Sequence, residues 1–517
     1  VNILNESISD DRIFYLEQGS DIYRGRNVEI QDQNLTLSVF KLDSLAKKQL
    51  GVPYRRRTRR IKTAESQVFH ETFIKLDSNI VLDPGQVEIP MASIESVDVV
   101  HSDVGKSIGN FAVGTLGVVG ILTIIAAATK SSCPFVYTDD GHITSFVGEA
   151  FSGAMFAPLE RHDYVPLGNP VLGSKELQVV IRNELQETEY INLANLVVIE
   201  HPEHLKVMID ENGAVHTIDK PTLPIITQSN TGENVLDEIS FVGDNQLYRF
   251  DHGLEGASTG SLIMHFPRPI YGNEAKLVLN AKVSFWLDFA YGEFTSLLGD
   301  SYSSWVDKQN QRSVDEFKKW QFDQDVLLKI FIKENNEWKY VSSFDPVGPF
   351  GDPRPMIMPL DISNISTDEV EVRIQTGFNY WELDYAALDY SPDVAVTTSF
   401  HDASEAIDES NADVLDLISS DDQLYVEQHN PGDQITLTFD FKEISGKRTS
   451  LFLDIKGYYQ PIKHYSGKPD WMYLNQFSKP GHFTEFTKDL LLQYTPVLYT
   501  RDIEPGKQVK KSALFRN

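Results

Sequence analysis

The chain has 517 residues, 41% hydrophobic and 11% aromatic, which excludes wholesale disorder and supplies core for three or four domains. Its 46 Lys and Arg against 75 Asp and Glu leave a net charge of −29; no nucleic-acid partner is expected, because phosphate recognition needs clustered basic side chains. A lone Cys133 excludes an intramolecular disulfide, a multi-cysteine zinc site and a redox pair.

Residues 1–104 carry a net charge of −3 and the remainder −26. Apolar residues recur at a period near two in Leu35–Phe40, Phe73–Leu76 and Ile94–Val100, and Asp83-Pro84-Gly85 reads as a turn. This pattern predicts a small N-terminal β domain. The dense basic tract Tyr54–Lys62 reads as a solvated loop joining two strands, too far from the next segment to set membrane orientation. The first residue, Val1, fits an export signal removed upstream or a trimmed chain, and a lipidated cysteine just before it would fit the former.

The 105–130 segment contains the uncharged 23-residue run Ser107–Thr129, flanked by Lys106 and Lys130. At ~1.5 Å rise per residue a helix of this length covers the ~30 Å hydrocarbon core of a bilayer. Gly109, Gly114, Gly117 and Gly120 weaken a helix in water but are common in membrane helices. The run predicts an anchor helix and a membrane partner at 107–129, with a buried soluble helix or strand pair as the alternative.

Beyond it, short strands alternate with Gly, Pro, Asn and Asp. Leu177–Ile181 and Ala194–Ile199 belong to a β domain over 131–245, and Asp210-Glu211-Asn212-Gly213 reads as a hairpin turn needing positive φ. Residues 246–395 read as a jelly-roll-like sandwich with Lys276–Asn280 as a strand. An acidic linker and β-rich region over 396–517 contains the strand Gln434–Phe439. Helices are expected at about 294–322, 411–419 and 483–493. No 20–50-residue repeat supports a propeller or solenoid. The predicted fold class is mostly β, with multi-domain antiparallel β-sandwiches, few helices and one hydrophobic, transmembrane-like helix.

The run Cys133-Pro134-Phe135-Val136-Tyr137, then Asp140-Gly141, Gly148-Glu149, Leu159-Glu160-Arg161 and Asp163-Tyr164, resembles the signature of an uncharacterised bacterial envelope and secreted protein family. The likeness continues through Arg182–Ile191, His201-Pro202, Trp381–Tyr390 and Lys456–Tyr459, though many relatives have Asp-Gly-Glu where this chain has Asp140-Gly141-His142. It implies an exported architecture and carries over no reaction and no site. The central region is similar to galactose-binding-like β-sandwiches, which implies that Trp286, Trp338 and Trp381 could stack against a sugar face. The alternative is that these rings fill the sandwich core. Glu160, Arg161 and Asp163 are expected to form an ion-pair network beside a sheet.

No phosphate loop, dinucleotide fingerprint, Gly-x-Ser-x-Gly elbow or His-Glu-x-x-His occurs, so no catalytic, cofactor-binding or metal-ligating residue is assigned. In His201-Pro202-Glu203-His204 the proline prevents a shared helical face. Glu382 and Asp384 lie ~7 Å apart along a strand, where buried hydrogen bonding accounts for them. The stretch Asp402–Asp422 holds eight acids and no Lys or Arg; calcium is the ion it would take, but its spacing is not that of a hand-type loop and it reads as a solvated face. No cofactor is predicted. The functional expectation is a non-enzymatic, membrane-anchored protein of the bacterial cell envelope, its body extracytoplasmic, serving as scaffold or subunit of a surface assembly with other envelope proteins. The alternative is a carbohydrate-binding or glycan-acting protein using residues 246–395.

Overall fold

The computed structural model describes residues 13–18, 21–31, 34–41, 71–76, 82, 85–90, 93–99, 133–139, 144–168, 176–244, 246–250, 258–350, 352–440 and 448–494. The anchor run 107–129, the basic tract 54–62 and the turn residues Asp83-Pro84 lie outside them. Among the described residues, no helix is long and apolar enough to cross a membrane.

The N-terminal strands are β1 (Ile13–Gln18), β2 (Asp21–Gln31), β3 (Asn34–Lys41), β4 (Glu71–Leu76), β5 (Gly85–Pro90) and β6 (Ile94–Val99). They form one sheet in the order β5-β3-β2-β1-β4-β6. Alternation places Leu35, Leu37 and Val39 on the buried face with Phe14, Leu16, Ile74 and Leu76. The β1–β4 pair is parallel, correcting a purely antiparallel expectation. Once β2, β3 and β5 stack on one side of β1, its other edge is where a returning strand can pair, and β4 enters there in the same direction.

The next strands are β7 (Phe135–Asp139), β8 (Thr144–Glu149), β9 (Arg161–Pro166), β10 (Glu176–Arg182), β11 (Glu187–His201), and the hairpin β12 (Lys206–Ile209) and β13 (Val215–Ile218). Then come β14 (Ile226–Ser229), β15 (Tyr248–Arg249), β16 (Thr259–Pro267) and β17 (Glu274–Val283). Helices α1 (Phe285–Ser296), α2 (Tyr302–Gln309) and α3 (Val314–Asp323) follow, and then β18 (Leu328–Glu334), β19 (Glu337–Phe344), β20 (Arg354–Asp361), β21 (Glu369–Gly377) and β22 (Trp381–Asp389). The chain closes with β23 (Thr397–His401), β24 (Glu405–Asp408), α4 (Leu415–Ile418), β25 (Val426–Gln428), β26 (Gln434–Asp440), β27 (Arg448–Pro461), α5 (Trp471–Leu474) and α6 (His482–Tyr494).

Besides the two-stranded β12–β13 hairpin, four larger antiparallel sheets result. One runs β24-β26-β10-β7-β8 and a second β23-β11-β27-β9, with β25 also on β11; these form the first sandwich. The second sandwich has β14-β16-β21-β18-β19 against β15-β22-β17-β20. Residues 131–245 and 396–517 thus share both sheets of the first sandwich, through β10–β26 and the long β11–β27 ladder. The second sandwich is threaded between them, and apolar residues of all four sheets belong to one continuous core.

The predicted helix at 294–322 is three helices with different starts. Ser284 accepts from Leu287 N at the head of α1, and Ser313 with Glu316 closes a capping box on α3. The breaks fall at Gly299, with φ +47°, and after Asn310. Helix α1 buries Trp286, Leu287, Phe289, Ala290 and Phe294, so it is an interior helix and not a surface one. The expected C-terminal helix is α6, and Asn411–Ser419 shrinks to the single turn α4. Fully buried Phe483 of α6 meets the rings of Trp320 at 5.5 Å, Phe294 at 5.7 Å and Tyr380 at 6.0 Å, joining α6 to α1, α3 and the second sandwich. Phe483→Ala should therefore cost about 3–5 kcal/mol of stability by denaturant unfolding, a core truncation with little room to collapse.

Candidate functional site

A cleft of about 600 Å³ separates the two sandwiches. Its floor is edge strand β9, Arg161–Pro166, which is the Arg-His-Asp-Tyr part of the motif singled out in the sequence. A short 3₁₀ turn, Ala157–Leu159, with Pro158 near its start, delivers the chain into β9. The far wall is β20 and the Phe344–Val347 segment of the second sandwich; Lys318 of α3 and the β12–β13 turn close the ends.

The walls are tied by charge. Asp163 receives both terminal nitrogens of Arg354, at 2.5 and 2.9 Å, and the Phe151 N–H at 2.7 Å. Arg354 also donates to Tyr164 O at 2.5 Å, so one guanidinium spans the sandwiches. Arg161 donates to Ser152 O at 2.5 Å and lies 3.8 Å from Asp345, which takes Lys318 Nζ at 2.5 Å. Burial alone would raise the Asp163 carboxyl, but Arg354, then Arg161 and the Phe151 N–H, hold it below the usual carboxylate range. Asp345 is held low in the same way by Arg161 and Lys318 against its own burial.

At the cleft mouth, Glu211 is an exposed residue whose Oε1 turns inward to accept the Asp345 N–H at 2.7 Å. Desolvation by the walls, then the Asp345 charge, push its pKa up to about 7, against the opposing pull of the Asp345 N–H, Arg161 and Lys318. The turn that presents it behaves as expected, with Gly213 at φ +82°. A Cβ there would stand 2.6 Å from Tyr164 Oη, so the site needs glycine twice over. His162 Nδ1 meets Asp454 at 2.7 Å, and that hydrogen bond raises the imidazole above its ordinary pKa despite burial. Burial lifts the Tyr164 phenol to about 12, helped by the charges of Asp454, Asp210 and Asp163.

Past Lys456, which pairs with Asp421 at 2.6 Å, the outer face of the same sheet carries three half-buried tyrosines. Tyr190 and Tyr458, register partners on β11 and β27, stack at 4.5 Å and 10°. Tyr425 stands 6.0 and 5.7 Å from them at 87° and 84°, perpendicular to both rings. Its hydroxyl is tied to Glu160, whose carboxylate accepts Asn192 Nδ2 at 2.9 Å.

The residues proposed for sugar stacking are dispersed. Trp286, 1% exposed on α1, and Trp381, 0% exposed on β22, lie inside the core, and burial removes both from a solvent-facing set. Trp338 is half-buried on β19, with Arg373 4.8 Å and Lys333 5.8 Å from its ring centroid. Glu382 pairs with Arg249 at 2.8 Å, and Asp384 accepts the Gly243 N–H at 3.0 Å. His201 is buried, its Nε2 2.9 Å from Ser450 Oγ. In the acidic stretch Asp408 caps its own turn, accepting Ser410 N and Ala412 N at 2.8 Å, and Asp421 pairs with Lys456. Among the described residues no three of His, Cys, Asp and Glu converge on a common point.

Arg161 and Asp163 do enter a charged network, whereas Glu160 stands outside it and accepts from Asn192. The other members Arg354, Asp345, Lys318 and Glu211 were not legible, because they arrive from a strand, a loop, a helix and a turn distant in the chain. The tyrosine trio had two signals, Tyr190 within the Arg182–Ile191 run and Tyr458 within the Lys456–Tyr459 run. No protein-family model matches the chain, and no curated protein matches it.

Two outcomes follow from the ion pairs. Arg354→Met strands the Asp163 carboxylate and should cost about 3–5 kcal/mol near neutral pH. Because the folded carboxyl is depressed, its contribution is present above the unfolded value of 3.8 and disappears as pH falls through the folded value; acid unfolding curves of the variant should lose that slope. The His162 pair has the opposite sign, being fully present below 6.5 and lost as pH rises through the raised folded pKa. An NMR titration should place the His162 midpoint above 6.5, and Asp454→Asn should bring it down.

Proposed function

We propose that this protein is a non-enzymatic scaffold of the bacterial cell envelope, anchored through 107–129, that docks a polar segment of another envelope protein in the cleft between its sandwiches. The observation that carries the reading is the bracing of that cleft. Asp163–Arg354 and Arg161–Asp345–Lys318 bridge its walls, so binding loses little to reorganisation, and the bridging groups retain exposed edges for hydrogen bonds. An uncharged 23-residue run next to an acidic β body supports the membrane placement. Envelope fractions should release the full-length chain only with detergent, and a partner should co-purify from them. Lys318→Gln, which removes an exposed charge at the cleft and leaves Arg161 facing Asp345, should keep the fold and weaken capture of the partner. Recovery in the soluble fraction without detergent, or as a lone monomer from native membranes, would overturn the proposal.

A second reading is favoured by one feature, the tyrosine trio on the outer face of the first sandwich. Aromatic rings beside the Glu160, Asn192 and Asp421 side chains supply the stacking faces and acceptors that a carbohydrate uses. A glycan array comparing the native chain with Tyr458→Ala tests it; binding that persists unchanged in the variant, or no binding at all, sinks this reading.

A further inference from the structure

The outer face of the β14-β16-β21-β18-β19 sheet carries a cation that nothing else in the fold engages through its charge. Register sets Arg373 of β21, Phe331 of β18 and Tyr340 of β19 side by side across three strands. Trp338 stands opposite Lys333 two residues further along. Alternation sends these side chains outward, since Val372 and Ile374 flank Arg373, Ile330 and Ile332 flank Phe331, and all four are buried. The Arg373 guanidinium lies 4.3 Å from the Phe331 ring centroid and 4.8 Å from that of Trp338. Tyr340, 46% exposed, meets Phe331 at 5.7 Å and 66°, so an open aromatic surface adjoins the guanidinium.

The charges around it single out this arginine. Each lysine of β18 and β19 has an acid of its own: Lys329 with Asp325 at 2.6 Å, Lys333 with Glu371 at 2.9 Å, and Lys339 with Glu334. Arg373 makes no hydrogen bond and no ion pair among the described residues, and its Nε is buried as well as unbonded. Desolvation moves its pKa downward, with no acid opposing the shift, yet an arginine keeps its charge at neutral pH. Contact with two rings already restricts the side chain, so an anion arriving there meets a donor fork whose freedom is largely spent.

We propose that Arg373, Trp338 and Tyr340 form a recognition point for a uronic-acid sugar of an acidic glycan. The site is separate from the cleft and from the tyrosine trio, and depends on neither. The guanidinium donates two parallel N–H bonds to the planar carboxylate, and the aromatic surface takes the apolar C–H face of the sugar ring that bears it. One unpaired positive charge matches one carboxylate, whereas a phosphate group brings a second negative charge among lysines that are already paired. An Asp or Glu side chain of a peptide offers the carboxylate on a flexible stem, with no rigid face for the rings.

The test titrates the full chain with short oligogalacturonate and oligomannuronate by calorimetry, in about 0.15 M salt. At least one of them should bind, and the same oligosaccharide with its carboxyls methyl-esterified should not. Arg373→Gln should weaken binding by about 10–100-fold. Arg373→Lys, which keeps the charge and loses the planar fork, should be weakened too, as should Trp338→Ala. Lys220→Gln, which removes an exposed charge elsewhere, should bind as the native chain does. Thermal midpoints show which variants are folded, and the esterified ligand tests the same contact on the unaltered chain. No binding of either acidic oligosaccharide, binding that survives esterification or Arg373→Gln, or tighter binding of poly-glutamate would each overturn the proposal.

Discussion

Everything in the large β body depends on one ladder, the antiparallel pairing of Glu187–His201 with Arg448–Pro461. It joins strands separated by the whole of the second sandwich. Closing so long a loop adds only slowly to the entropic cost, because that cost grows with the logarithm of length. The return comes from the side chains the ladder buries, with Leu196, Leu453 and Ile455 at 0% exposed. Folding should pay attention to order for the same reason, since non-local strand pairing is slow and an independently formed second sandwich shortens the effective loop.

The two faces of that ladder do different work. Its inner face is apolar over most of its length and ends in a buried polar corner of Glu187, Glu189 and Gln428. The outer face is covered at one end by the β12–β13 hairpin through Val197, Ile199, Val207 and Phe452. Toward the other end His162 and Lys456 line the cleft, and the tyrosines lie on the same face beyond Lys456. A single register therefore sets which polar groups are buried and which are presented, and a slip of one residue would exchange them. The pairing of Asp163 with Arg354 then fixes how the second sandwich sits against the edge of the first, because a bidentate pair has one good geometry.

Much of the secondary structure was legible from local pattern. The strands at 177–181, 194–199, 276–280 and 434–439 appear where short β-rich runs between Gly, Pro, Asn and Asp placed them, and Gly213 adopts the positive φ that its hairpin turn demands. Where the sequence reading was too coarse, helix punctuation was responsible. Residues 294–322 look like one amphipathic stretch, yet a left-handed Gly299 and the Ser313 capping box divide it. The tryptophans were harder to place, since a large aromatic suits both a buried strand face and an exposed platform, and only burial distinguishes Trp381 from Tyr458.

The amino-acid sequence by itself determined the β-rich character, the acidic charge, the turn chemistry and an uncharged run long enough for a bilayer, because each is a property of residues near one another in the chain. The tertiary structure alone decided that Asp163 faces Arg354, that Glu189 faces Gln428, and that residues 131–245 and 396–517 build the same two sheets. Those juxtapositions join residues 191, 239 and more than 250 positions apart. Local periodicity reports which face a side chain takes on its own strand; it contains no information about which distant strand will lie beside it.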